Sequence, residues 1–360
     1  MSILLCGDIS VKEPVHDIWK NGTVETLFSD VADLFRSANR VIVNLETAVT
    51  EKETAIRKFG PNIKAPLCVP GILKEAGVTD CGLSNNHTMD FDVDGIKDTI
   101  EELDKAGLNY TGFGWDEEDS RKDLIFTENG KTVRIIAVCE HEYTYAQRGV
   151  PGGRPYDPYD THADIRKAKA EADYVIVMYH GGKEHCQYPS PRLRKLCQAM
   201  VNDGADLVLC QHSHCIGCLE EYNGGTILYG QGNFHFMYPT PRDRMWSEGL
   251  AVRVTLEEKP VVELIPVVLT STGIRMMHGE EADLVYSEIA ERSKKLESDE
   301  WLEGWREFCE RMRPGYEAAV ANFHKMEEQT THHFAHYLDC EAHTDVWREL
   351  YKTWHAQKAK

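Results

Sequence analysis

Side chains that commonly bind divalent metals follow a series of apolar segments in this chain. Asp8 comes directly after ILLCG, and Glu46 follows VIVNL. His180 ends the run YVIVMYH, while His212 and His214 follow DLVLCQ. Carboxylates and imidazoles together suit Mn²⁺, Fe²⁺ or Zn²⁺, and carboxylates also suit Mg²⁺. These residues therefore point to a site for one or two divalent metal ions.

A further polar group, Asn85-Asn86-His87, follows the segment DCGLS. Taken singly, each such residue has an ordinary structural explanation, because Asp8 after a strand can cap a helix and paired asparagines favour turns. The two histidines at 212 and 214 carry more weight, since alternate residues at the end of a strand point the same way. Together, the five occurrences of polar residues after apolar segments favour one functional site over five unrelated structural roles.

Short apolar segments alternate with amphipathic ones along residues 2–234. Segments such as 41–46, 174–180 and 205–210 read as buried strands, whereas 164–172 and 190–204 read as helices with charged outer faces. This alternation predicts βα units and a sheet that helices cover. The carboxyl ends of parallel strands share one edge, so the polar side chains are expected to converge there.

Six short motifs in this order resemble those of one known family. They are Cys6-Gly7-Asp8, Asn44-Leu45-Glu46, Asn85-Asn86-His87, His180-Gly181-Gly182-Lys183-Glu184, Gln211-His212-Ser213-His214 and Tyr229-Gly230-Gln231-Gly232-Asn233-Phe234. The family is the bacterial capsule-synthesis (CapA), or poly-gamma-glutamate biosynthesis, family, which looks like a branch of the calcineurin-like metallophosphoesterases. The resemblance covers about residues 3–238.

The resemblance implies a four-layer α/β/β/α metallophosphoesterase-like sandwich with metals at its top edge. By this resemblance Asp8 and His214 belong to the first metal, and Glu46 bridges both metals. Asn86, His180 and His212 complete the second metal site. His87 matches a family histidine near the leaving group and is a candidate general acid beside Asp8.

Two positions depart from the phosphoesterase pattern. Ser10 stands where those enzymes usually carry a histidine ligand, which predicts a weaker or empty first metal site, and Gln211 stands where glycine is common. The family also usually carries an N-terminal membrane anchor or signal. The sequence shows neither, so a role in cell-surface polymer synthesis is less expected.

Basic residues in predicted loops near the same edge are candidates for binding a substrate anion. Lys183, His185, Arg57 and Arg154 belong to this group, and Asn85 is a further candidate for contact with substrate. For any one of the basic residues, solvated surface charge is the simpler explanation. The pair Cys215 and Cys218 has zinc-binding spacing, but the second pair that a structural zinc site needs is missing.

Composition limits the partners. The net charge of −19 argues against a nucleic-acid partner, while an anionic small-molecule or polymeric substrate stays compatible because bound cations reverse the local field. No stretch is apolar enough for a membrane span, and the start of the chain has no secretory signal. Eleven cysteines scattered through apolar runs fit a reduced interior, which predicts a cytoplasmic protein.

The character of the chain changes after about residue 272. Residues 1–272 are predicted to form the metallophosphoesterase-like domain, and 273–360 to form a helical C-terminal extension of about three helices. Pro314-Gly315 is expected to separate two of them. His332 and His336 are four residues apart on one predicted helix, where a solvated face is the favoured interpretation over a metal site.

Three functions follow from this sequence. The first is a metal-dependent hydrolase in which metal-activated water attacks a phosphoester and His87 protonates the leaving oxygen. The second, suggested by the family, acts on gamma-glutamyl amide bonds. The third is a non-catalytic binding protein on the same fold, which Ser10 in place of histidine favours.

Overall fold

The protein folds around two packed β-sheets. The computed structural model describes residues 2–240, 242–325 and 327–358, so residues 1, 241, 326, 359 and 360 of the predicted segments lie outside the described residues. The strands, in chain order, are β1 (Ser2–Ser10), β2 (Arg40–Leu45), β3 (Ala48–Val49), β4 (Lys64–Ala65), β5 (Asp80–Gly82), β6 (Asn109–Thr111), β7 (Phe113–Gly114), β8 (Leu124–Glu128), β9 (Lys131–Cys139), β10 (Gly152–Gly153), β11 (Tyr174–His180), β12 (Leu207–Gln211), β13 (Leu219–Tyr222), β14 (Gly225–Leu228), β15 (Asn233–Phe236), β16 (Glu248–Thr255), β17 (Val261–Leu269) and β18 (Ile274–Met276).

Helices flank both sheets and dominate the C-terminal part of the described chain. They are α1 (His16–Asn21), α2 (Val24–Phe28), α3 (Val31–Arg36), α4 (Val69–Ala76), α5 (Asp92–Ala106), α6 (Glu117–Ser120), α7 (Asp160–Glu171), α8 (Pro191–Asn202), α9 (Arg244–Ser247), α10 (Glu280–Lys294), α11 (Trp301–Asn322), α12 (Glu328–Asp339) and α13 (Glu341–Lys358). No helix among the described residues is both long enough and apolar enough to cross a membrane.

The first sheet has the order β18-β17-β16-β1-β2-β5-β6, and β15 also pairs with β1. Strands β1, β2, β5 and β6 run parallel, whereas β16, β17 and β18 extend the sheet in antiparallel fashion. The second sheet has the order β13-β14-β12-β11-β9-β8, with its four central strands parallel. Strands β1 and β11 are buried along their whole length, which explains their nearly continuous apolar sequences.

Three apolar clusters define four layers. Side chains of both sheets, such as Leu5 and Ile176, meet in a central cluster. A second cluster joins the outer face of the first sheet to helices α1–α5, with Phe35 at its centre. A third joins the outer face of the second sheet to α7 and α8 through residues such as Ile165 and Met200. The predicted α/β/β/α sandwich is therefore confirmed.

The C-terminal helices pack on the sandwich and on each other. Helix α10 contributes Val285 and Ile289 to the cluster between the sheets, and α11 to α13 build a separate cluster around Trp305 and Tyr316. The first sheet continues to Met276, and the predicted domain division at residue 272 stays a prediction.

The predicted helix break at Pro314-Gly315 is wrong, because α11 runs through Pro314 without interruption. A proline inside a helix costs about 3 kcal/mol through a lost hydrogen bond and a steric clash. Phe308 and Cys309 before it and Tyr316 after it are buried in the same apolar cluster. This packing on both sides of the proline offsets the local cost.

Candidate metal centre

The strand ends of both sheets bring five predicted metal ligands together. Asp8, Glu46 and His214 form one group of potential ligands, and Glu46, His180 and His212 form a second. Within each group the ligand atoms lie within 4.8 Å of one another. Glu46 belongs to both groups, so it has the position that a carboxylate shared by two metal ions requires.

Irregular backbone at the strand ends aims these side chains. The pairing of β1 shifts register beside Asp8 on both of its sides, towards β2 and towards β15. After β12 the chain turns sharply, because His212 and His214 both have left-handed backbones with φ of 78° and 53°. Such a conformation costs a non-glycine residue of order 1 kcal/mol or more, and it concentrates at functional sites.

Glu46 lacks the partners that a buried carboxylate needs. It is fully buried, and neither Oε1 nor Oε2 has a hydrogen-bond partner among the described residues. Burial raises the pKa of Glu46 well above its ordinary value, and the nearby charge of Asp8 raises it further. Because an unpaired buried charge is costly, the carboxylate fits a position between bound cations.

Asp8 is buried as well but is held by the protein. Its Oδ1 accepts from Asn44 Nδ2 at 2.7 Å, and its Oδ2 accepts from the backbone N–H of His212 at 2.9 Å. Burial raises the pKa of Asp8, and these hydrogen bonds oppose the rise. The two contacts fix the carboxylate towards His214 and Glu46.

Glu142 orients His212 of the second group and Asn86, a further predicted ligand of the same metal. Its Oε2 accepts from Asn86 Nδ2 at 2.8 Å, which leaves the amide oxygen of Asn86 facing His180 Nε2 at 3.0 Å. Its Oε1 lies 3.5 Å from His212 Nε2, so His212 Nδ1, which has no partner among the described residues, is left for a metal. Second carboxylates of this kind fix the tautomer of a ligating histidine.

The charges around His212 follow from this pairing. Burial lowers the pKa of His212, but Glu142 outweighs it and raises this pKa to about 9. The pKa of Glu142 lies well below its ordinary value although burial opposes this, because His212 lies beside it. A metal ion at Nδ1 of His212 has to displace the proton that is bound there below about pH 9. The affinity for metal is therefore expected to decrease as the pH is lowered.

His214 is held in the same way by Asn233. Nδ1 of His214 donates to Asn233 Oδ1 at 2.9 Å, and Asn233 Nδ2 donates to the backbone carbonyl of Trp246 at 2.8 Å. The second bond fixes which end of the amide faces the histidine. His214 therefore presents Nε2 to Asp8 and Glu46, and burial lowers the pKa of His214 to about 3, which favours the neutral, ligating form.

Asn233→Ala is expected to lower the affinity for Mn²⁺ by roughly 10–100-fold, because His214 loses the contact that fixes its ring. Titration of metal-free protein by calorimetry measures the change. Asn223→Ala, in the turn between β13 and β14, is the matched control and should leave metal affinity unaltered. Unchanged affinity in Asn233→Ala would contradict a role for Asn233 in positioning His214.

His87 lies beside this centre and is held by a carboxylate. Its Nδ1 is 2.6 Å from Asp90 Oδ2, and its Nε2 is 3.8 Å from Glu46 Oε1. Asp90 in turn pairs with Lys58, a buried lysine. Burial and the charge of Lys58 lower the pKa of His87, while Asp90 opposes them. The free edge of the ring thus faces the space above the metal ligands.

Ser10 is the position where phosphoesterases usually have a histidine. It is fully buried at the end of β1, and its hydroxyl has no hydrogen-bond partner among the described residues. The first group therefore offers two carboxylates and one imidazole, enough for a metal that completes its coordination with water.

A pocket of about 350 Å³ opens over these residues. Lys183, Glu184, His185, His87 and Asn86 are part of its lining. The ammonium of Lys183 makes no hydrogen bond and no ion pair within 4 Å in the described part of the chain, although the residue is only 9% exposed. Its charge lowers the pKa of the neighbouring Glu184 to about 2 against the effect of burial. Lysines are almost never buried unless they are paired, so Lys183 marks the pocket as a place for an anion.

Three residues that were predicted to contact the substrate are not part of the pocket lining. Arg154 is buried and pairs with Asp123 at 2.8 Å and Asp164 at 2.7 Å, away from the pocket lining. Arg57 is exposed on a neighbouring surface. Asn85 is fully buried and accepts from the backbone N–H of His87 at 3.1 Å, so it shapes the turn that presents Asn86 and His87.

Several residues of the centre were not predicted from the sequence. Glu142 follows β9 by three residues, so the same strand-end signal that found Asp8 would have found it. Asn233 lies in a quoted motif, but no pattern in the sequence shows that it holds His214. His336 was expected on a solvated helix face, and this was wrong: the fold turns it into the pocket, and its ring stacks on Tyr143.

Comparison with known proteins gives the family. The model described as "Bacterial capsule synthesis protein PGA_cap" matches residues 2–238. The PGA biosynthesis protein CapA of Bacillus subtilis (strain 168) is 31% identical over 247 residues, 66% of this chain and 63% of that protein. The capsule biosynthesis protein CapA of Bacillus anthracis is 31% identical over 245 residues, 66% of this chain and 60% of that protein.

The chain thus spans about three fifths of the length of these two relatives. A putative 5'-nucleotidase from Staphylococcus aureus, solved in complex with alpha-ketoglutarate, aligns over 81% of this chain and 58% of its own with a TM-score of 0.49 and 14% identity. The family model covers all six motifs and more than half of the sequence. The chain belongs to the bacterial capsule synthesis protein PGA_cap family.

Proposed function

We propose that this protein is a metal-dependent hydrolase of the calcineurin-like phosphoesterase type. The observation that carries the proposal is Glu46, a fully buried carboxylate with both oxygens unpartnered among the described residues and shared by two groups of potential ligands. Bound cations stabilise such a group in its ionised form, which burial otherwise disfavours. One or two divalent ions, of Mn, Fe, Zn or Mg, are the proposed cofactors, held by Asp8, Glu46 and His214 and by Glu46, Asn86, His180 and His212.

When bound, such ions lower the pKa of a water and neutralise charge on a phosphoryl group. The protein's own residues position the substrate. Lys183 offers an unpaired ammonium to a phosphoryl oxygen, and His87, fixed by Asp90 at 2.6 Å, presents Nε2 towards the pocket. In this scheme His87 acts as the imidazolium, with Nδ1–H held by Asp90, and donates the Nε2 proton to the leaving oxygen as a general acid.

An activity on gamma-glutamyl amide bonds is the second candidate. The names of the two Bacillus relatives refer to PGA and capsule biosynthesis, which favours it. Amide cleavage needs donors for an oxyanion and a proton for the leaving amine. Lys183 and His87 are compatible with those needs. The positive charge of Lys183 in the pocket favours the phosphoester, because a phosphoryl group is charged and an amide carbonyl is not.

The test compares both bonds on metal-loaded protein. We expect hydrolysis of bis(para-nitrophenyl) phosphate or para-nitrophenyl phosphate. This activity should be lost in Lys183→Gln and retained in Glu75→Gln, which changes an exposed residue of α4. Release of glutamate from gamma-glutamylglutamate without phosphoester cleavage would move the assignment to the amide. Inactivity on both substrates with metal bound would favour a binding protein.

A further inference from the structure

The C-terminal helices form one wall of the pocket over the metal ligands. Met312 of α11, His336 and Tyr337 of α12 and His343 of α13 all line it. The family model ends at residue 238, so these four residues lie outside the matched segment. The wall is therefore a feature of this chain's own C-terminal part.

Buried polar contacts fix the wall to the sandwich. Asp345 accepts from Ser190 Oγ at 2.6 Å and from Arg192 Nε at 2.8 Å. Glu341 accepts from His141 Nδ1 at 2.7 Å. Ser190 and Asp345 are both buried, so the contact is sheltered from water. Helix α13 is thereby tied to the loops that follow β9 and β11.

Two further contacts join the wall to the pocket floor and rim. Cys340 Sγ lies 3.4 Å from Glu142, the carboxylate that orients Asn86 and His212. The ring of Phe59 stacks on His333 with centroids 4.3 Å apart and lies 5.4 Å from the ring of His336. Because the C-terminal helices contact both Glu142 beside the metal ligands and Phe59 on the opposite rim, they close a side along which a long substrate would otherwise run.

The enclosed space fits a small molecule. Its volume of about 350 Å³ lies near the lower end of the roughly 300–1,000 Å³ of ligand pockets. Its unpaired cation, Lys183, lies on the same lining as His87 and Asn86. A polymer needs a groove that is open on both sides of the scissile bond, whereas this pocket is walled by α11, α12 and α13.

We propose that the wall of Met312, His336, Tyr337 and His343 restricts this site to small anionic esters, with the phosphate against Lys183 and the ester group against the wall. The inference rests on the proposed phosphoester function and adds to it the class of substrate, a small organic phosphomonoester. An internal position of a polymer is excluded because the chain on one side of the bond would collide with α12.

The experiment uses one bond in two settings, O-phosphoserine and the same residue in the middle of a dodecapeptide. On metal-loaded full-length protein, kcat/KM for phosphoserine is expected to exceed that for the peptide by roughly tenfold or more. His336→Ala and Met312→Ala remove partly exposed side chains. Each should raise kcat/KM for the peptide and so lower the ratio of phosphoserine to peptide kcat/KM. Leu338→Ala, on the outer face of α12 and 53% exposed, is the control and should keep the wild-type ratio.

Phosphate binding distinguishes a failure of the wall inference from a failure of the proposed phosphoester function. Calorimetric titration with inorganic phosphate reports on the anion site without any turnover. If metal-loaded protein binds phosphate and cleaves both substrates equally well, the wall inference is overturned and the phosphoester function stands. If it binds no phosphate, both fail. If Leu338→Ala lowers the ratio of the two kcat/KM values as much as His336→Ala does, the inference is also overturned. The effect would then come from general loosening of the C-terminal helices.

Discussion

Saturating Mn²⁺ or Zn²⁺ is expected to raise the Tm of chelator-treated protein by roughly 5–10 °C, and Glu46→Gln should abolish this rise. A ligand at about a thousand times its Kd stabilises the folded state by about 4 kcal/mol. In large domains each kcal/mol corresponds to roughly 2 °C. Differential scanning calorimetry with and without metal measures the effect.

The same substitution has a second, opposite consequence in the metal-free protein. Glu46→Gln removes a fully buried carboxylate that has no hydrogen-bond partner within the described residues and lies beside Asp8, with His180 Nε2 at 3.6 Å and His87 Nε2 at 3.8 Å. The metal-free variant should therefore unfold at the same temperature as metal-free wild type or above it. Glu75→Gln is the exposed control and should retain the full metal effect. A metal-induced rise that persists in Glu46→Gln would refute the centre described here.

His87→Asn is expected to lower kcat by about 10²–10⁴-fold on a phosphoester with a poor leaving group, because the proton for the leaving oxygen is lost. The loss should be much smaller for para-nitrophenyl phosphate, whose leaving group needs little protonation. Metal content should not change, since His87 is in neither group of potential ligands. Steady-state kinetics on a series of aryl and alkyl phosphates measures this dependence.

His324→Asn, an exposed histidine outside the pocket, is the control for this series and should match wild type throughout. An equal loss on good and poor leaving groups would assign His87 to substrate binding instead of proton transfer. Loss of metal in His87→Asn would show that the substitution acts through the ligands, and the general-acid role would then have to be abandoned.

The sandwich could be predicted because its strands and ligands are local signals. Each buried strand is a short apolar run, and the residues at or directly after the ends of β1, β2, β11 and β12 are polar in a way that a strand alone does not explain. Parallel strands bring such ends to one edge whatever the intervening sequence. That rule predicted that Asp8, Glu46, His180, His212 and His214 converge, and the family resemblance assigned them to two metal sites.

What the sequence did not disclose depends on long-range packing. Arg154 looks like an anion ligand in a loop, but only the fold reveals that Asp123 and Asp164 neutralise it. His336 looks solvated until α12 docks on the sandwich. Pro314 is a helix breaker by local rules, and burial on both sides overrides it. In each case a partner distant in sequence decides the role of the residue.

The wall formed by α11 to α13 also has a consequence for synthesis of the protein. Asp8 is among the first residues to leave the ribosome and His343 follows more than three hundred residues later. His214 is the last of the metal ligands to be made and precedes His343 by 129 residues. At roughly 5–20 residues per second, about 6–26 s pass in which all the ligands are present while the last helices are still missing. A nascent chain can thus bind its metal before α11 to α13 cover one side of the site. The pocket acquires its selectivity for small esters only when these helices dock.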